Sequence, residues 1–201
     1  MREDTIDKKS EPISTAERMR VVEESWQTSR TFEQYKYYLG CTNADMQHWN
    51  TVVDLGAGDS LVVQKEFKHI NPNAHVISVN PKFGQWTRLR DKVPKDAFAV
   101  AMLAQEMAFA DESIDAVLAL FSVPLYLYPE DQPLFLKELI RILAPGGEAF
   151  LYPVGTEHQE QGRAFHSFLK EYTSRHPEEI SYTTKIKDNW LRVRIKKHGS
   201  K

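Results

Sequence analysis

A chain of 201 residues, 41% of them hydrophobic, suits one α/β domain around a buried sheet. Its formal net charge of -2 excludes a globally basic surface for nucleic acid or an anionic membrane and leaves only a local patch for such a partner. The single cysteine, Cys41, excludes an intrachain disulfide, no apolar run reaches the roughly 18 residues of a membrane span, and neither end has a signal-peptide pattern, so a cytoplasmic protein is expected.

Residues 1–12 are charged and polar without apolar periodicity and predict a disordered tail ahead of a single domain over 13–201. Ser14 or Thr15 can cap a helix over Ala16 to Trp26, and a second helix is predicted from Thr31 to Leu39 before Gly40. These N-terminal helices, within 13–45, carry Trp26, Tyr35, Tyr37 and Tyr38 and form a candidate lid; packing is the simpler account of aromatic residues at helical spacing.

The core then predicts strand 51–55, helix 61–70, strand 75–79, helix 83–92, strand 97–103, strand 115–121, helix 131–143 and strand 148–154. Strands alternating with helices of this size imply a parallel sheet with right-handed crossovers. After a helix over 160–175, Ile180 to Lys187 and Trp190 to Lys197 are β-rich runs joined at Asp188-Asn189, which reads as a terminal hairpin. Arg192, Arg194 and Lys196 share one face of the last strand; a solvated face is the simplest explanation, a polyanion-binding stripe the other.

Thr51-Val-Val-Asp-Leu-Gly-Ala-Gly-Asp-Ser60 carries the chemistry. An apolar run ends in an acid and then two glycines, so a strand enters a tight turn whose backbone can approach a ligand, with a helix N-terminus behind it. A dinucleotide-binding Gly-x-Gly-x-x-Gly would need glycine at 61, where Leu61 stands, which disfavours a nicotinamide oxidoreductase. The segment resembles the Gly-x-Gly-x-Gly loop of the class I S-adenosylmethionine-dependent methyltransferases, with Ser60 in the third place. Two more segments resemble that family in order: Glu106 to Ser122, with Asp115 as the acid opening the fourth strand, and Arg141-Ile-Leu-Ala-Pro-Gly-Gly before the fifth.

The resemblance implies a three-layer sandwich, a seven-stranded, mostly parallel sheet with a C-terminal antiparallel hairpin and helices on both faces. It implies S-adenosylmethionine as cofactor, with Gly56, Ala57, Gly58 and Ser60 at its methionyl end, Asp54 supporting the loop and acting partly through water on the ammonium, and the backbone of Phe121 and Ser122 facing the same group. Asn80 and Pro81 fall where the family's ribose-binding acid ends the second strand. Leu103 stands where many members put an acid against the adenine amino group, leaving apolar contact and the amide near Ala104.

Glu157 and His158 follow the fifth strand on the correct edge and are candidate general bases. No metal ligands are assigned. A small-molecule acceptor is expected, since no appended recognition domain is evident; a protein or nucleic-acid substrate on the sheet edge and a noncatalytic binding protein, favoured by Asn80 and Leu103, are the alternatives.

Overall fold

The computed structural model describes residues 30–58, 61–85, 97–155 and 160–199. The first element is α1 (Phe32–Leu39), whose N-terminal amides are satisfied by a reciprocal capping box: Gln34 N donates to Thr31 Oγ1 and Thr31 N to Gln34 Oε1. Gly40 ends it with φ 69, a left-handed C-cap. Thr42 and Asp45 repeat the box at α2 (Asn43–Met46).

The alternating part follows as β1 (Thr51–Leu55), α3 (Val62–Phe67), β2 (His75–Val79), a 3₁₀ turn (Pro81–Gln85), β3 (Phe98–Val100), β4 (Ile114–Leu120), α4 (Gln132–Ile142), β5 (Leu143–Val154), α5 (Glu160–Arg175), β6 (Ile180–Lys187) and β7 (Trp190–Lys197). One seven-stranded sheet results, in the order β3-β2-β1-β4-β5-β7-β6. Strands β1 to β5 pair in parallel, and β7 is antiparallel to both neighbours. The β6–β7 turn places Asp188 and Asn189 at φ 48 and 66, the left-handed pair that a two-residue hairpin requires.

Alternation along the strands divides the core into two layers. Val53, Leu55, Val117, Ala119 and Leu151 turn to the face covered by α4 and α5, where Phe135, Leu139 and Phe165 are buried. Val52, Ala116, Leu118, Phe150 and Tyr152 turn to the other face, covered by α1, α2 and α3 through Phe32, Tyr35, Leu39, Met46 and Phe67. Each of the valine, leucine, methionine and phenylalanine side chains among these stabilises by roughly 1.5–3 kcal/mol when fully buried. Helix α1 and the residues after it are therefore core: Trp49 packs on Phe150 at 5.3 Å between ring centroids, and Tyr38 stacks on Tyr152 at 5.0 Å. Residues 13–29 of the candidate lid, Trp26 included, and the expected tail lie outside the described residues.

Three boundaries differ from the sequence reading. The predicted helix over 83–92 is a 3₁₀ turn as far as Gln85, and the rest lies outside the described residues. The third strand spans only Phe98–Val100, because Met102 onward leaves the sheet. The fifth strand begins at Leu143 rather than 148 and runs through Pro145-Gly146-Gly147: Leu143 is already extended at ψ 129, and the left-handed residue is Gly146, with φ 82. Leu143 pairs with Ile114 and Glu148 with Ala116, so the four residues between bulge out of the ladder. A Cβ at Gly147 would stand 2.9 Å from the Ile114 carbonyl oxygen, which is why glycine occupies the bulge.

Among the described residues, no helix is long and apolar enough to cross a membrane. The basic stripe on β7 is largely absorbed by packing. The Arg192 guanidinium lies against Gly40 at the C-terminus of α1, a favourable place for a cation, and Arg194 bridges Glu148 at 2.7 Å and Asp45 at 3.3 Å.

Candidate active site

Strand order reverses between β1 and β4, and in an open parallel sheet a ligand crevice forms beyond the carboxyl ends at that point. A cleft enclosing about 800 Å³, open solvent at its mouth included, lies there. Four loops line it: Leu55 and Gly56 after β1; Val79, Asn80 and Pro81 after β2; Met102 to Gln105 after β3; and Phe121 to Val123 with Tyr126 to Tyr128 after β4. Asp131, before α4, and Arg30 complete the wall.

The turn after β1 is held from two sides. Its amides at Gly56 and Ala57 both donate to the Val79 carbonyl, at 2.8 and 3.0 Å, which fastens the loop to β2. Gly56 has φ 79, and a Cβ there would stand 2.2 Å from Ser122 Cβ; Ser122 Oγ donates to the Leu55 carbonyl at 2.7 Å. Glycine at 56 is thus demanded by the approach of the β4 loop, independently of any ligand. Ala57 and Gly58 are buried beneath the turn, and Ser60 lies outside the described residues. Leu61, standing where a dinucleotide loop has its third glycine, adopts φ 48 with its side chain buried. That conformation costs a non-glycine residue about 1–2 kcal/mol.

Asp54 does not reach the cleft wall. It is 1% exposed, and the Tyr35 hydroxyl donates to it, 3.1 Å from Oδ1 and 3.4 Å from Oδ2. Burial pushes its carboxyl up to about 7, against the opposing effects of the Tyr35 hydrogen bond and the Arg30 charge. Tyr35 in turn rises well above its ordinary value, through burial first and the Asp54 charge second.

Asn80 lines the cleft, but its amide is spent on the loops: Nδ2 donates to the Ala57 carbonyl at 2.8 Å, and Oδ1 accepts from the Lys82 amide at 3.0 Å. Asn80→Asp should therefore loosen the site. A carboxylate cannot donate to Ala57 and would leave two oxygens facing each other, at about 1–3 kcal/mol of stability. A urea melt compared with wild type checks this; an unchanged midpoint would mean the Asn80–Ala57 bond contributes nothing.

Phe121, at the end of β4, is held at φ 48, which costs of order 1–3 kcal/mol and requires firm surroundings. Its amide donates to the Tyr152 carbonyl at 2.6 Å, and its ring meets Tyr38 and Tyr152 edge-on, each at 5.3 Å. The loop after β3 is stapled by Arg141 of the Pro-Gly-Gly segment, which donates to the Met107 and Phe109 carbonyls and pairs with Glu138 and Asp111. Asp115 accepts from the Asn50 and Thr51 amides at 2.7 and 2.9 Å and so aligns the starts of β1 and β4. Arg141 and Asp115 support the cleft without lining it.

Of the residues expected from sequence, Gly56, Asn80, Pro81, Leu103, Ala104, Phe121 and Ser122 come together on one wall. Glu157 and His158 lie outside the described residues. The lining residues not expected from sequence include two with unpartnered polar atoms. Gln105 is 6% exposed, and its Oε1 is buried without a hydrogen-bond partner; Arg30 has a buried Nη1 in the same condition, with its guanidinium 5.8 Å from the Phe121 ring centroid. Among the described residues, no three His, Cys, Asp or Glu side chains gather in a way that could hold a metal ion.

Residues 53–151 match the family described as "Methyltransferase domain". An arsenite methyltransferase of Halobacterium salinarum is 32% identical over 124 residues, which are 58% of this chain and 31% of that protein, so the chain spans under a third of that relative. Among solved structures, the N-methyltransferase NodS of Bradyrhizobium japonicum, in complex with S-adenosyl-L-homocysteine, superposes with a TM-score of 0.57 at 12% identity, over 92% of this chain and 98% of that one. A SAM-dependent methyltransferase of Methanosarcina mazei gives 0.53 at 15% identity, over 75% and 93%.

Proposed function

Since the chain belongs to the class I S-adenosylmethionine-dependent methyltransferase family, we propose that it binds S-adenosylmethionine in this cleft and passes the methyl group to a small-molecule acceptor in the cytoplasm. One observation carries the reading. Two buried polar atoms of opposite character, the Gln105 acceptor beyond β3 and the Arg30 donor beside Phe121, stand without partners on an otherwise largely apolar wall. Buried polar atoms left unpaired are costly, and a ligand with a donor near Gln105 and an acceptor near Arg30 would satisfy both. The adenine amino group and the amino-acid end of S-adenosylmethionine have those characters.

When bound, the cofactor supplies an already activated methyl group. The chain's residues then have to align a nucleophile and exclude water. Met102, Val123, Leu127, Tyr126 and Tyr128 provide the apolar and aromatic wall on which an acceptor would lie. Glu157 or His158, after β5, is the proposed acceptor of its proton. Arsenite does not carry over as the acceptor. Trivalent arsenic seeks thiolates, and Cys41, the chain's one cysteine, is buried with its thiol pushed up to about 12, chiefly by desolvation.

A binding protein without transfer is the second reading, favoured by the commitment of the Asn80 amide to Ala57 and Lys82. Calorimetry with S-adenosylhomocysteine and transfer of label from methyl-tritiated S-adenosylmethionine to extract fractions separate the two. Stoichiometric binding with labelling of a small-molecule fraction is expected. Binding without labelling of any fraction, protein and RNA included, would favour the binder, and no binding would remove both readings.

A further inference from the structure

We propose that the face of the β6–β7 hairpin beside the C-terminal end of α1 is a track for the phosphate backbone of single-stranded RNA. The track shares no lining residue with the cleft, and the inference does not rest on what the cleft binds.

Residues directly opposite in an antiparallel pair lie on one face, and every second residue along each strand returns to it. The register therefore sets four rungs on the α1 side: Lys187 with Trp190, Lys185 with Arg192, Thr183 with Arg194, and Ser181 with Lys196. Every rung holds a cation, and successive cations along β7 stand roughly 7 Å apart. The buried cluster under α1 and α2 takes in no residue of β6, so Ser181, Thr183, Lys185 and Lys196 stay exposed.

Packing cancels only part of this charge. Where Leu39 and Gly40 meet the hairpin, a pocket is lined by three cations, Lys185, Arg192 and Arg194, and by no carboxylate. Arg194 is committed to Glu148 and Asp45. Lys196 faces Glu148 across the ladder, but that carboxylate is the one Arg194 holds. Arg192 reaches only the Tyr37 carbonyl, at 3.5 Å, and Lys185 pairs with no carboxylate of the described residues. Like charges directly opposite one another, as Lys185 and Arg192 are, destabilise a strand pair, and an anion between them removes that cost.

A lone anion needs one such rung, whereas cations on four consecutive rungs match a linear chain of phosphates. Aromatic surface flanks them: Tyr37 is 56% exposed beside Lys187, whose Nζ lies 3.7 Å from its ring centroid, and Trp190 is half-buried on the same rung. Bases stack on such rings, and the Thr183 hydroxyl in the row can meet a ribose 2′-hydroxyl. An anionic membrane would call for protruding apolar side chains here, and Ile186, the exposed apolar residue of β6, lies on the opposite face with Leu191.

Fluorescence anisotropy of a labelled oligouridylate of about twelve nucleotides, between about 50 and about 200 mM salt, tests the track. Lys185, Lys187, Arg192 and Lys196 are the four cations that no carboxylate holds, so log affinity should fall against log salt with a slope of about -3, roughly 50-fold over that range. Lys185→Ala and Lys196→Ala, at exposed positions, should each make the slope shallower by about 0.7, and the double variant by about 1.4. Lys137→Ala, on α4 across the sheet, should leave the slope unchanged. No binding by wild type, a slope indifferent to the hairpin lysines, or an equal effect of Lys137→Ala would overturn the assignment. So would binding of phosphatidylserine vesicles through the same lysines in preference to the oligonucleotide, which would make the face a membrane contact.

Discussion

Gly56→Ala is expected to destabilise the protein by about 3–6 kcal/mol, a large share of the stability of an ordinary domain. Three contributions sum to that figure. A left-handed residue with a Cβ costs about 1–2 kcal/mol. Overpacking against Ser122, whose Cβ would be only 2.2 Å away, costs about 1–3 kcal/mol, and displacing Ser122 costs about 1 kcal/mol more through its bond to the Leu55 carbonyl. The origin of the effect can be separated from any ligand by a double-mutant cycle. In a Ser122→Gly background the clash is gone, so Gly56→Ala should cost only the backbone strain of about 1–2 kcal/mol. Denaturant melts of the four proteins measure the coupling. Equal costs in both backgrounds would mean that the loop after β4 moves aside freely, and Gly56 would no longer be explained by its neighbour.

The turn after β1, the start of β4 and the terminal hairpin were legible in the sequence because each is a local signal: an apolar run broken by glycines, an acid opening an apolar strand, and Asp188-Asn189 between two β-rich runs. In a parallel sheet the loops at the carboxyl ends of the strands share one edge, so the loops that line the cleft were legible once the strands were assigned. What failed was set by contacts between distant segments. Pro145-Gly146-Gly147 looks locally like a helix stop, yet pairing of Leu143 with Ile114 pulls the chain extended before the proline and turns those residues into a bulge. Asp54 is set back from the cleft wall because Tyr35, 19 residues earlier and on a helix packed over the sheet, bonds it, and nothing local to the strand end announces that partner. Arg30 and Gln105 were invisible for a related reason. A polar atom without a partner is a property of the folded environment, and nothing in residue type or spacing distinguishes Gln105 from any other loop glutamine.

Asp54→Asn should flatten the pH dependence of stability. With burial holding its folded-state value at about 7 against an ordinary 3.8, Asp54 keeps a proton in the native protein that the unfolded chain releases. Below about pH 4 both states hold that proton, and the group is neutral in its effect. As pH rises from 4 to 7 the unfolded state gains by releasing it, so native stability falls, by an amount of the order of 4 kcal/mol, and above 7 the loss is complete. Asparagine keeps an acceptor for the Tyr35 hydroxyl and has no proton to lose. The difference in unfolding free energy between wild type and variant, from urea melts at steps between pH 4 and 8, should therefore shrink steadily in disfavour of wild type, while other titrating groups cancel. Parallel curves would mean that Asp54 is ionised in the native protein and that its burial is relieved by a contact beyond Tyr35. Repeating the series with saturating S-adenosylhomocysteine addresses what the acid does. Because Tyr35 bonds both oxygens and Asp54 is absent from the cleft wall, the slope should persist in the complex. A slope abolished by the ligand would place the cofactor's ammonium close enough, through water, to hold Asp54 ionised, the role its position in the sequence implies.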